Sequence, residues 1–581
     1  MIRPLATIAL VALLLGTEAH AQILRGGTSS DTPRRPVTTA HALTNARVIV
    51  APGRVLDRAT VIVRDGRIVA VGEDAEVPFD ATVIEADSMW VYAGFLDLYS
   101  HAGVEDPDTP EYDGDRGDPP REVAGIVPDR DVRTLYSPSN NAVKALREAG
   151  FTAAHLAPHD GLFAGMGAVA LLREPGRAEY RESLFLPRTE TAIAQIDGAS
   201  GVYPATPMGV LSVMRETVEN ARREMASREA FDGDASRALR PSYDPVIDAL
   251  APVLSGDRPM IFHADSWLDA HRALRVTEEM TIPTTVLAGV PDVAPVLDKI
   301  RSRGVPVIAP LALPDTVKTD STTAEIALPP PTSTSPGGIS FVSARRTTSF
   351  RDTEAEKTTL TAQQIASVQR AEASPARLAE AAVPFAFGSF DAKGKDIREN
   401  LRRMVEAGLS REDALAALTT SAAEVVGLGG TLGTVEAGKL ANLVVTTGDY
   451  FVDSTQVRFV FVEGIRHEVE AEKKAAAGDP DAEATALGTW TYSVETPGGT
   501  QTGTMIVEGE PGNLSGEIVG EDGEATPFDS ISLEGNVLSV QFSADQLSVT
   551  LSGTIIGDEF EGTADVGAFG SFPFTATRQP E

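Results

Sequence analysis

The chain has 581 residues, 42% of them hydrophobic, a formal net charge of −33 and no cysteine. That length exceeds one domain and fits two to four. The charge argues against nucleic acid or anionic membrane as partners, and the lack of cysteine excludes disulfides, thiolate chemistry and a lipid-anchored cysteine.

Residues 1–21 read as a secretory signal peptide. Arg3 supplies the positive start, residues 5–15 an apolar core, and Ala19-His20-Ala21 a small-x-small cleavage site. The apolar run is too short to span a bilayer, and no later run is long enough. A mature protein beginning at Gln22, periplasmic or secreted, is expected. Residues 22–40 are polar and rich in Pro and Gly, which predicts a disordered leader.

From His41 the pattern becomes strand-like. Ala46-Arg47-Val48-Ile49-Val50, Thr60-Val61-Ile62-Val63 and Arg67-Ile68-Val69-Ala70-Val71 are short β runs, and Arg64-Asp65-Gly66 is a hairpin signal. Residues 41–93 are taken as half of a small β-sandwich, with the other half at 430–469. Between them, residues 94–429 alternate strand and helix, the mark of an α/β barrel. Predicted strands include Phe151 to Ala157, Ala168 to Leu172, Met260-Ile261-Phe262-His263, Thr284 to Ala288, Val305 to Ala309 and Val383 to Gly388. Gly161, Gly165 and Gly167 read as a tight turn into one of these strands. Residues 316–351, rich in Pro, Thr and Ser, predict an exposed loop. Residues 470–485 read as a charged linker. Residues 486–581 show about eight short strands with turn signals, which predicts a separate up-and-down barrel or sandwich. Trp490, Tyr492, Phe542, Phe560, Phe572 and Phe574 could line a ligand cavity there or simply pack its core.

The stretch Ala93-Gly94-Phe95-Leu96-Asp97-Leu98-Tyr99-Ser100-His101 resembles the end of the first barrel strand in the amidohydrolase superfamily, Pro-Gly-(Leu/Phe)-(Ile/Leu)-Asp-x-His-x-His. Tyr99 stands where the first histidine would be. The run from Leu432 to Val445 resembles the superfamily's returning sandwich signature, with Asn442 where Asp is commoner. Arg147 to Ala153 and Tyr203 to Gly209 resemble strings of secreted imidazolonepropionase-like amidohydrolases, and residues 486–581 resemble lipocalin-like appendages. The resemblance implies a TIM-like (β/α)8 barrel with a small β-sandwich built from both ends of the catalytic region. It also implies hydrolysis of a C–N bond by a metal-bound water, whose proton an aspartate after the last strand accepts.

Only eight histidines are available. None lies between His271 and His467, so the sixth-strand ligand is missing. No lysine lies between Lys144 and Lys299, so a carboxylated lysine from the middle strands is missing too. The usual binuclear centre cannot be built. A mononuclear centre of His101, His263 and Asp391 could leave a fourth position for water, with Asp391 as the catalytic base. In Gly388-Ser389-Phe390-Asp391 the ligand slot falls on Phe390 without a gap, and on Asp391 if the chain bulges. Tyr99 and His159 are the candidate substrate contacts. His155 reads as a packed barrel histidine, and His271 as solvent-facing on a helix.

Two readings remain open. One is a pseudoenzyme, a ligand-binding or assembly scaffold. The other is a divergent mononuclear hydrolase of non-peptide or dipeptide C–N bonds. Either binds at most one divalent ion, zinc by ligand type, or none. Expected partners are a small molecule in the barrel mouth and either a second copy or an active paralogue.

Overall fold

In the computed structural model Asp65 and Gly66 both take positive φ, 50° and 74°. That is the two-residue turn that an Asp-Gly pair favours between antiparallel strands. It joins β2 (Arg54–Arg64) to β3 (Arg67–Gly72), with Arg64 facing Arg67. β1 (His41–Ala51) pairs with β2, β4 (Thr82–Glu85) and β5 (Trp90–Ala93). The structure describes residues 40–315, 353–469 and 486–579, apart from 107–111, 177–178, 200, 237–238, 391, 497–498, 511–512, 521–524, 535, 545–546 and 567–570. The expected signal and leader through residue 39, the Pro-rich stretch 316–351, the 470–485 segment and Asp391 therefore lie outside the described residues.

The next eight strands form the barrel. They are β6 (Phe95–Ser100), β7 (Phe151–Leu156), β8 (Phe163–Leu171), β9 (Thr191–Gln195), β10 (Met260–His263), β11 (Thr285–Ala288), β12 (Val307–Pro310) and β13 (Phe385–Gly388), neighbours in that order. A hydrogen bond from the Phe390 N–H to the Tyr99 carbonyl, 2.9 Å, and a Ser100–Phe390 bridge join the two ends. Strands such as β7 and β11 are buried along their whole length, as expected of strands covered on both faces. Helices at 141–148, 207–233, 245–255, 267–279, 297–303 and 394–406 accompany them. Several carry side-chain caps, such as Ser266 accepting from the Asp269 N–H.

One strand departs from the parallel pattern. β8 runs antiparallel to both β7 and β9, with no helix on either side of the kind a parallel crossover needs. This corrects the glycine reading. Gly165 and Gly167 lie inside β8 and not in a turn before it. A Cβ on Gly167 would sit 2.5 Å from the His155 ring, and one on Gly165 would sit 2.5 Å from the Arg130 carbonyl. Close approach across the barrel requires the glycines.

After the barrel come β14 (Leu443–Thr446), β15 (Val457–Val462) and β16 (Ile465–Glu468). β14 pairs antiparallel with β5, giving the order β16-β15-β14-β5-β1-β2-β3. Both ends of the region thus build one β layer around a core that includes Val48, Val61, Val91, Leu443, Val445 and Phe461. The layer is tied to the barrel at one point by Asn442. Its amide donates to the Thr152 hydroxyl at 3.1 Å and accepts from the Glu463 N–H at 2.8 Å. Gly94 leaves room for Thr152, whose hydroxyl would lie 2.3 Å from any Cβ there.

The described residues from 486 onward form a second compact unit. β17 (Gly488–Thr496), β18 (Gly499–Glu510), β19 (Asn513–Val519), β20 (Ala525–Glu534), β21 (Val537–Ala544), β22 (Leu547–Ile556), β23 (Glu559–Asp565) and β24 (Ser571–Arg578) close into an antiparallel barrel. Trp490, Met505, Leu538, Val540, Phe560 and Phe574 fill its core. Trp490 donates its indole N–H to the Ala486 carbonyl at 2.9 Å, so this large side chain is buried without an unpaired donor.

Candidate functional site

His263 ends β10 and His101 follows β6, so both stand at the C-terminal end of the barrel. Tyr99 lies between them. Its ring stacks on His263 at 5.3 Å between centroids and meets His101 edge-on at 5.3 Å. Phe390 completes the group, 4.7 Å from Tyr99 and 5.5 Å from His263. Phe390 holds φ of 50°, a left-handed backbone that a bulky side chain rarely adopts. Asp391, the predicted ligand and base, lies outside the described residues.

Asp97 positions the end of β13. Its Oδ1 accepts from the Tyr99 N–H at 3.1 Å and from the Ser389 N–H at 2.8 Å. The Ser100 and Ser389 hydroxyls meet at 2.9 Å beside it. Asp97 is fully buried, and this raises its carboxyl pKa to about 6 against the pull of the surrounding hydrogen bonds. Its Oδ2 has no hydrogen-bond partner among the described residues. The sequence marked Asp97 as a motif residue, but not as the clamp between β6 and the segment after β13.

The histidine nitrogens have partners. His263 Nδ1 meets Gln195 Oε1 at 3.3 Å, and its Nε2 meets Asp265 Oδ1 at 3.2 Å. His101 Nδ1 meets the Ala157 carbonyl at 2.9 Å. His159, a predicted substrate contact, stacks on His101 at 4.1 Å and pairs with Asp106 at 3.4 Å. Asp197 lies near His263, its carboxyl pKa raised by burial and then by Asp160 and Asp265. Gln195, Asp197 and Asp265 were not singled out from the sequence. Asp265, two residues past His263, was the nearest available signal, because residues just beyond a strand's C-terminal end face the mouth.

His155 is a packed barrel residue, as its mid-strand position predicts. It is fully buried, its Nε2 contacts the Thr191 hydroxyl at 2.8 Å, and burial lowers its pKa to about 4. His271 lies within the 267–279 helix.

A tetrahedral metal centre needs three or four donors converging on one point. Among the described residues, no three His, Asp or Glu side chains do so. The phenol of Tyr99 and the ring of Phe390 lie against His263, and both nitrogens of His263 have protein partners. The described donor set does not fit the binuclear centre that the superfamily resemblance implies.

Comparison with known proteins agrees with this fold. Residues 348–466 match the model of the Amidohydrolase family. A 61-residue stretch is 41% identical to a dihydroorotase of Anaeromyxobacter dehalogenans (strain 2CP-C), covering 9% of this chain and 14% of that enzyme. A dihydroorotase of Anaeromyxobacter sp. (strain K) is 39% identical over 61 residues. The chain thus spans only about a seventh of the length of these curated relatives. In structure, an amidohydrolase from Thermotoga maritima MSB8 superposes with a TM-score of 0.55 at 20% identity, over 73% of this chain and 98% of that one. The family match is thus confined to residues 348–466, and the likeness to the solved structure extends to the fold of the whole barrel region.

Proposed function

We propose that this protein is an exported pseudoenzyme of the superfamily, whose barrel mouth binds a small molecule without a hydrolytic metal centre. The observation that carries the reading is the Tyr99–Phe390–His263 ring group. Two aromatic rings stand against the histidine that a metal would need, and that histidine already holds Gln195 and Asp265. The mouth still offers flat aromatic surface with His101 and His159 beside it, which suits a small planar or cyclic ligand. Export rests on the N-terminal sequence, and a role as an assembly partner of an active paralogue accords with retention of the fold.

The second reading, a mononuclear hydrolase of C–N bonds, has one observation in its favour. His101 and His263 both contact the same Tyr99 ring, so they border one small region. Elemental analysis of the purified mature protein, with turnover of dihydroorotate and of dipeptides in added zinc, separates the two. The pseudoenzyme reading expects substoichiometric metal and no turnover. One tightly held ion with zinc-dependent turnover would establish the hydrolase.

A further inference from the structure

A second concavity lies at the opposite end of the barrel from His263. Pro259 and Ile261 line it from the start of β10, Val286 from β11 and Ile308 from β12. Val425 and Val426, at the end of the 420–425 helix, close one side. The cavity measures about 570 Å3, within the range of small-molecule sites. Its wall is largely hydrocarbon, and its polar groups come from the β9 entrance, the turn before β10 and Glu424 of the 420–425 helix.

Most of those polar groups are already engaged. Glu190 accepts from Arg133 at 3.3 Å, and Arg133 also pairs with Asp131 at 2.8 Å. Asp257 accepts from the Ser255 hydroxyl at 2.7 Å. The Thr191 hydroxyl meets His155, and the Thr189 hydroxyl donates to the Leu186 carbonyl at 2.8 Å. Arg258 differs. Its guanidinium carries five donors, yet its side-chain bond is a 3.3 Å contact from Nη1 to the Ala249 carbonyl. It makes no ion pair with a carboxylate among the described residues. It is half-buried, and burial pulls its pKa below the ordinary value. A desolvated guanidinium at the edge of an apolar wall is built to receive a planar anion. Arg188 lines the same cavity and adds a second positive charge, alongside the carboxylates of Glu190, Asp257 and Glu424.

We propose that this cavity is a binding site for a small apolar carboxylic acid. The carboxylate lies on Arg258, with Arg188 nearby, and the hydrocarbon body packs against Ile261, Val286 and Ile308. The site is separate from the mouth and does not depend on whether the mouth is catalytic.

Calorimetric titration of the mature full-length chain with octanoate and with 1-octanol tests this. Octanoate should bind, and octanol should bind about 10-fold more weakly or worse, the factor a charge-assisted hydrogen bond confers. Arg258→Gln should remove that advantage and leave octanol binding unchanged. Tyr99→Ala, at the opposite end of the barrel, should leave octanoate affinity intact. If Arg258→Gln does not fold, Arg258→Lys is read in its place. It keeps the charge but loses the fork, and should still weaken octanoate several-fold. Failure of the natural protein to bind millimolar octanoate would overturn the proposal. So would equal octanoate affinity in either folded Arg258 variant, or loss of binding in a folded Tyr99→Ala.

Discussion

Tyr99 and Phe390 stack at 4.7 Å with their planes 19° apart, and the Phe390 N–H donates to the Tyr99 carbonyl. Ring contact and barrel closure therefore fall on the same two residues. Phe390 accepts an unfavourable left-handed backbone to keep both. Aspartate tolerates that backbone far better than phenylalanine. The double variant Tyr99→His, Phe390→Asp would add two metal donors and take the phenol and phenyl rings away from His263. Its zinc affinity should exceed that of the natural chain by at least ~10-fold, the low end of what metal-site perturbation does. Competition against a chromogenic chelator measures it. Equal affinities in the two proteins would show that the rings are not what keeps metal out.

The readable parts of this chain were those governed by local chemistry. Asp65-Gly66 declares its hairpin because few other pairs take two positive φ values in succession. His263 at the end of an apolar run places itself at a strand terminus. Gly165 and Gly167 were misread because their reasons are distant: the Arg130 carbonyl and the His155 ring, brought near only by the barrel. Phe390 was not legible in a further way. Nothing in its own propensity favours a left-handed backbone, and it is held there by Tyr99 and by Asp97 through Ser389. Likewise Gln195 and Asp265 acquire their roles only when β9 and β10 pair and bring them to His263.

Stability should depend on pH through His155. Its pKa falls from 6.5 to about 4 on folding because the buried imidazole resists protonation. In the unfolded chain it protonates near its ordinary value. Between those two values the unfolded state binds more protons, so stability is fully present above pH 6.5 and falls as the pH drops toward 4. The loss at full titration is on the order of 3 kcal/mol. Asp97 acts in the opposite direction. Its pKa, raised to about 6, favours the fold at low pH and withdraws that stability as the pH rises from about 4 to 6. In urea melts of the full chain, stability at pH 7 minus stability at pH 4.5 should become more negative in His155→Gln than in the natural protein. It should become more positive in Asp97→Asn, which keeps the acceptor for Ser389 but cannot ionise. Shifts of the opposite sign in both variants would refute these assignments.

Gly167→Ala should destabilise the barrel unit by roughly 2 kcal/mol, within the range that overpacking a dense core costs. The added methyl would stand 2.5 Å from His155 Cε1 and 2.7 Å from the Leu156 carbonyl oxygen. Backbone cannot yield easily there, and the ring is fixed by Thr191. Replacing His155 by serine in the same chain should recover part of the loss, because it removes the ring. A single Gly167→Ala variant that melts with the natural protein would show that β8 has more room than this geometry gives it.

The C-terminal barrel should fold alone when residues 486–581 are expressed as a fragment. All eight strands have antiparallel neighbours within the segment, and β24 pairs back onto β17, leaving no open edge. The fragment holds one of the chain's three tryptophans, Trp490, because the others are Trp90 and Trp267. Its fluorescence therefore reports on the core without interference. Buried Trp490 should emit to the blue and shift red in one cooperative transition on heating, together with the loss of β circular dichroism. Trp490→Ala should cost about 3–5 kcal/mol, as aromatic truncation in a core does, a large share of the ~5–15 kcal/mol of an ordinary domain, and should lower the melting temperature markedly. Red-shifted emission and a featureless melt in the unmutated fragment would mean that this barrel needs the rest of the chain to form.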